Sequence, residues 1–204
     1  MIQSTEALIQ EALAKSISYA EYRALVTQLS QEGKSTGPLQ TDEALVNYTK
    51  LNDRRMKRWD KMIKIDEAAV SDIRQINTNR TWLVLTESWC GDASPALPVM
   101  DKVANLNPGI SLHIVMRDDN VSLMNRFLTN GGMSIPKLIV IENADHKVIG
   151  SWGPRSQNAT KLVEDHKALN GTILPEFKEE LQMWYNRDKG TSILNEILEL
   201  LTLE

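Results

Sequence analysis

The chemistry available to this chain centres on one residue. Cys90 is the sole cysteine among 204 residues, and it stands in Thr86-Glu-Ser-Trp-Cys-Gly-Asp-Ala93. That stretch follows a short apolar run, Thr81–Thr86, that reads as a buried strand, and it opens a segment with helical spacing over 92–106. A thiol at such a junction faces the orphan N–H groups of the first helical turn and the positive end of the helix dipole. Both favour thiolate, so the pKa is expected below the value of about 8.5 for a free cysteine. Asp92 acts in the opposite sense, because one anion disfavours another beside it. The junction also predicts an exposed or half-exposed thiol, against the alternative of a buried small hydrophobe. Trp89 and Trp152 both end predicted strands on the same edge and could flank Cys90; plain core packing is the other reading. Arg155, after Trp152-Gly-Pro, could bring a positive charge there, or be a solvated loop arginine.

Other chemistries fit poorly. A single cysteine excludes an internal disulfide and a cysteine-rich zinc site. His113, His146 and His166 have no ligand spacing with a second His, Cys or carboxylate, so no metal site is expected. No phosphate-binding loop, dinucleotide fingerprint or nucleophile elbow occurs, so no cofactor is expected either. The net charge of −4 gives no basic footprint for nucleic acid. No apolar run reaches the roughly 18 residues of a membrane span. The start, Met1-Ile-Gln-Ser-Thr-Glu6, has no basic segment followed by an apolar one, so a cytoplasmic protein is the default expectation. Hydrophobic residues make up 42% and charged ones 25%, enough apolar surface to offset chain entropy, so a folded domain is expected.

The elements that must position Cys90 can be read in order. Residues 1–64 read as a helical N-terminal extension. Ser18-Tyr-Ala-Glu21 has the spacing of a capping box. Thr41 is the expected cap of a long helix, with Leu45, Tyr48, Leu51, Met56, Trp59 and Met62 as its buried stripe. Lys50, Arg54, Arg55, Lys57, Arg58, Lys61 and Lys64 then read as a solvated face, with a surface for an anionic partner as the alternative. A short helix around 68–76 precedes the strand at 81–86. Further strands are expected at 110–116, 137–141 and 147–152, with a helix at 121–128. Strands joined through helices should run parallel, and the last two should form an antiparallel hairpin. A helix is expected from Pro175 to about Arg187, with a stop at Lys189-Gly190 and a new cap at Thr191. The remaining segment, 189–204, is apolar on a broad face and must dock, either on its own domain or as a homodimer contact. The result is an α/β chain with a mixed sheet flanked by helices.

The central stretch resembles the thioredoxin superfamily. Trp89-Cys90-Gly91 is similar to the start of that family's Trp-Cys-Gly-Pro-Cys motif. Pro98 stands where the family has a proline that kinks the active-site helix. Gly132-Met-Ser-Ile-Pro136 resembles the segment in which a cis-proline faces the cysteine, and Gly150 sits where the family often has glycine. The resemblance implies a thioredoxin-like domain over 65–188, a cis Ile135–Pro136 bond, and a substrate groove formed by Trp89, Ile135, Pro136 and Trp152. The chain departs from the pattern at three positions. Ala93 stands where the second cysteine belongs, Asp92 where the proline does, and Val84 where a buried acid does. Trp-Cys-Gly-Asp resembles the motif of uncharacterised bacterial thioredoxin-like proteins.

Three functions follow. The favoured expectation is monothiol exchange, in which Cys90 forms a mixed disulfide with glutathione or a protein thiol and an external thiol resolves it. The alternative is a non-catalytic binding or scaffold module that holds a client in the groove. A peroxide-reactive thiol ranks last.

Overall fold

The computed structural model describes residues 3–203; of the start Met1–Glu6 read above, Met1 and Ile2 lie outside the described residues. Three helices come first: α1 (Thr5–Leu13), α2 (Tyr19–Glu32) and α3 (Glu43–Met62). Ser18 and Glu21 form the expected capping box of α2, each satisfying a backbone N–H of the other. The cap of α3 is Asp42, which accepts the Leu45 N–H, and not Thr41. A carboxylate at that position also suits the helix dipole.

The rest of the chain builds a sheet with helices around it. In order come α4 (Glu67–Gln75), β1 (Arg80–Thr86), α5 (Ala93–Leu106), β2 (Ile110–Met116), α6 (Val121–Met124), β3 (Lys137–Glu142) and β4 (Val148–Trp152). Three helices close it: α7 (Gln157–Asn170), α8 (Pro175–Asp188) and α9 (Thr191–Leu201). The sheet order is β2-β1-β3-β4. β1 and β2 pair parallel from Arg80 opposite Ile110 to Thr86 opposite Met116, as a crossover through α5 requires. β3 pairs antiparallel with β1, and β4 antiparallel with β3. The antiparallel β3 corrects the expectation of a third parallel strand. Residues 117–136 stay at the end of the sheet where β1 and β2 finish, so Lys137 enters opposite Leu85. α6 is correspondingly a single turn rather than a helix over 121–128.

α7 holds His166, for which the sequence suggests a polar helix without bounds, and its end signals are present. Ser156 caps it and Gly171 ends it in the left-handed region, with φ of 73°. α9 begins after Gly190, so Thr191 is its first residue rather than its cap. It lays Ile193, Ile197 and Leu201 into the core of its own chain. The Arg80 guanidinium donates to the Leu200 and Leu201 carbonyls at 2.9 and 3.1 Å and also to that of Leu203. These bonds satisfy carbonyls that a helix C-terminus leaves open. Gly150 of β4 permits this docking, since a Cβ there would lie 2.5 Å from a Leu203 methyl group.

One hydrophobic core joins Ile9 of α1, Tyr22 and Val26 of α2, and Met56 and Trp59 of α3 to the sheet and to α5. The face that α3 buries is only in part the expected one, at Met56 and Trp59. Val46, Thr49, Asn52, Asp53, Met56 and Trp59 are buried, whereas Leu51 and Met62 are exposed. Half of this buried face is polar; Thr49 and Asn52 reach the segment before Cys90, while Asp53 binds Thr27 and Lys57.

Candidate functional site

β1 ends at Thr86 and α5 starts at Ala93, so residues 87–92 form the turn that carries Cys90. The turn is anchored from beneath. The Thr36 side chain donates to the Glu87 carboxylate, and the Thr36 N–H donates to Ser88 Oγ at 2.9 Å. Thr49 Oγ1 lies 2.8 Å from Ser88 Oγ, and the Asn52 amide donates to the Ser88 carbonyl at 2.9 Å. The Tyr22 hydroxyl donates to the Glu87 carbonyl at 3.1 Å. Glu87 itself is fully buried. Burial pushes its carboxyl pKa up, although Thr36 and the Asp118 N–H oppose the rise.

Cys90 is buried at 6% exposure, which corrects the expectation of an exposed thiol. Its N–H donates to the Glu87 carbonyl at 3.0 Å. Its Sγ–H donates to the Ile135 carbonyl at 3.2 Å. The Ile135–Pro136 bond is cis, so the expected cradle is present over the sulfur. The expected fall in pKa is reversed. Burial, reinforced by the Asp92 charge, pushes the Cys90 thiol up to about 12. The Ala93 and Asp92 N–H groups and Arg155 act in the expected downward direction and are outweighed.

Asp92 occupies the cap position of α5 without a capping bond. Its carboxylate instead meets Arg155 at 2.7 Å and accepts the Tyr185 hydroxyl at 3.0 Å. Burial raises the Asp92 carboxyl pKa despite both partners. For Arg155, burial works against the charge, but Asp92 together with Tyr185 and Cys90 outweighs it and raises its pKa. Arg155 is therefore a partner of the site rather than a solvated loop residue.

The other expected groove residues divide. Trp89 lines a cleft over Cys90, with the Arg117 guanidinium 5.0 Å from its ring centre. Gly91, Asp92 and Ile135 line the same cleft. Ala93 and Pro136 are buried behind it. Trp152 is not on the cleft wall. It is buried, and its indole N–H donates to Glu196 of α9 at 2.7 Å. Gly153 fixes the neighbouring turn. It has φ of 111°, and a Cβ there would fall 2.1 Å from the Pro136 carbonyl oxygen.

The cleft has a volume of about 430 Å³. Sequence reasoning missed its opposite wall, which comes from α3 and α8 and includes Tyr48, Arg55, Lys178, Leu181 and Gln182. The Arg55 guanidinium lies over Gly91, 3.8 Å from where a Cβ would be, and the Gln182 amide donates to the Gly91 carbonyl at 3.4 Å. Arg55 belongs to the basic run of α3 that reads as solvated. The one signal was that an anionic partner also suits such a run. Among the described residues no group of three or more potential metal ligands occurs, and no helix is long and apolar enough to cross a membrane.

A family model described as thioredoxin matches residues 39–167. No curated protein matches the chain. A solved structure of a protein of unknown function from Pseudomonas aeruginosa is similar at 17% identity and a TM-score of 0.57, covering 94% of this chain and 97% of that one. An HIV epitope-scaffold is similar at 16% identity and a TM-score of 0.55, covering 91% and 98%. These likenesses extend the shared fold over nearly the full length of the chain.

Proposed function

The chain belongs to the thioredoxin family, and from that premise we propose that it is a binding module of the thioredoxin fold whose dithiol chemistry is lost. One observation carries this reading. The Cys90 thiol is buried, donates to the Ile135 carbonyl and is held up to about 12. At neutral pH such a sulfur is a thiol, and the thiolate is the nucleophile in exchange. Ala93, buried at 1% exposure, offers no second sulfur to resolve a mixed disulfide. What remains is a cleft of small-molecule size with apolar walls and a few convergent polar groups.

The test is an exchange assay with glutathione and a small disulfide, run beside the pH profile of Cys90 alkylation by iodoacetamide. The binding reading expects no Cys90-dependent turnover and an apparent thiol pKa well above about 8.5. Turnover that disappears in Cys90→Ser overturns it.

Monothiol exchange is the second reading. The backbone N–H groups of Asp92 and Ala93 and the charge of Arg155 all favour a thiolate on Cys90. A disulfide substrate that drew Asp92 away would leave burial alone opposing those groups. The Cys90 thiolate would then attack one sulfur of the disulfide and expel the other as a thiolate. An external thiolate, from glutathione or a protein, would attack the mixed disulfide and return Cys90. Exchange with glutathione would suit a reducing compartment, and a cytoplasmic location goes with this reading.

A further inference from the structure

Two cations of the cleft, Arg55 and Lys178, make no ion pair among the described residues, and Arg55 is the more buried of the two. Arg155 pairs with Asp92 at 2.7 Å, and Arg117 with Asp118 at 2.6 Å. Lys178 lies at the rim, its Nζ donating to the Tyr48 hydroxyl at 3.0 Å and sitting 5.3 Å from that ring centre. Arg55 makes no ion pair among the described residues; its polar partner is Asn52 Oδ1, at 3.2 Å. It is half-buried, and desolvation holds its pKa below the ordinary arginine value. The acidic groups whose fields reach it, Asp92 and Glu179, stand beyond ion-pair distance.

A guanidinium drawn out of water without a carboxylate partner is unfavourable. Four cations line the cleft, and the one acid there among the described residues, Asp92, is already engaged. Yet the whole chain carries a net charge of −4, so the positive charge is local to the cleft. A cleft lined by one sign of charge with apolar walls concentrates ligands of the opposite sign. Arginine presents a fork of donors matched to carboxylate and phosphate oxygens. Trp89, Ile135 and Leu181 supply apolar wall on the same cavity.

We propose that the cleft binds a small organic anion, with a carboxylate or phosphate group seated on Arg55 and Lys178 and an apolar body against Trp89, Ile135 and Leu181. The inference rests on reading the cleft as a binding site, and it adds the ligand class.

Cys90 opens onto the cleft, so its alkylation reports the charge preference. Iodoacetate and iodoacetamide are near-equal in size and differ in charge. Their rate ratio at Cys90 cancels the reactivity of the thiol itself. The ratio in native protein is expected to exceed that in urea-unfolded protein by about ten-fold. Arg55→Gln should return it toward the unfolded value, while Lys161→Gln, outside the cleft, should leave it unchanged. A native ratio no higher than the unfolded one, or one indifferent to Arg55→Gln, overturns the proposal. If Cys90 takes neither reagent, calorimetric titration with octanoate, octyl phosphate and octanamide decides. Tighter binding of either anion than of the amide, lost in Arg55→Gln, supports it and identifies the preferred headgroup. Equal binding of all three, or none, overturns it. Redox turnover at Cys90 would sink the binding-module reading yet leave the charge ratio standing, so the two failures are separable.

Discussion

Arg155 holds the carboxylate of Asp92 at 2.7 Å, and the two charges act on the Cys90 thiol in opposite senses. Replacing either one should therefore move the thiol in a different direction. Asp92→Asn removes an anion and leaves Arg155 free, so the Cys90 pKa falls and alkylation at pH 8 becomes faster. Arg155→Gln removes the cation, so the pKa rises and alkylation slows. The iodoacetamide pH profile of each variant checks the signs; shifts in the same direction would show that the pair does not control the thiol. Breaking the pair should also cost about 3 kcal/mol of stability, because the remaining partner is left largely buried.

Cys90 links the site to alkaline stability. Its folded pKa, about 12, lies above the unfolded value of about 8.5. The neutral thiol therefore stabilises the native state fully below about pH 8.5, and that contribution is lost as pH rises toward 12. Buried Tyr22 and Tyr185 also resist ionisation, so the comparison must be made within a pair of proteins. Urea midpoints of the wild type should fall more steeply between pH 9 and 11 than those of Cys90→Ala. Parallel curves would mean that the sulfur ionises freely in the folded protein.

Glu87 makes the converse demand at lower pH. Burial raises its carboxyl pKa in the folded state. The stability it contributes is complete below the unfolded value of about 4.3 and is lost as pH rises through the folded value. Glutamine can keep the geometry, accepting the Asp118 N–H and donating to Thr36 Oγ1. Glu87→Gln should be more stable than the wild type at pH 7 by about 1 kcal/mol. The gain should vanish near pH 4. Calorimetric melting at the two pH values measures it.

Trp152 should matter to the tail and not to the cleft. Its indole N–H donates to Glu196, whose other oxygen accepts the Gln157 N–H at 2.7 Å. Trp152→Phe removes the first bond and keeps most of the apolar contact. A loss of about 1 kcal/mol in melting stability is expected, with the Cys90 alkylation rate unchanged. A changed rate would return Trp152 to the groove.

Much of the fold is legible in local sequence. The run from Thr81 to Thr86 supplies apolar residues buried on both faces, and all of β1 is buried. The capping box at Ser18 and Glu21 starts α2 because its bonds close within four residues. Trp89-Cys90-Gly91, with Ile135-Pro136 and Gly150 at family spacing, carried the resemblance that the family match bears out. α3 shows where such reading stops. Its apolar residues suggested one buried face; the protein buries Met56 and Trp59 of it but also Thr49, Asn52 and Asp53, because the turn around Ser88 offers partners to Thr49 and Asn52 and α2 offers Thr27 to Asp53.

The sequence by itself determined the strand-turn-helix that carries Cys90, which follows from residue type and short-range backbone bonding. The missing second thiol at Ala93 and the proline that faces the sulfur were implied by the family resemblance of its motifs. Only the tertiary structure decided the state of the thiol and the charge of the cleft. A pKa is set by everything within several ångströms, and here burial outweighs the helix N-terminus. The residues that do this come from far along the chain: Arg55 on α3, Arg155 before α7, and Tyr185 on α8. No local pattern holds that information, because packing brings these residues to one place after their own helices and turns are already specified.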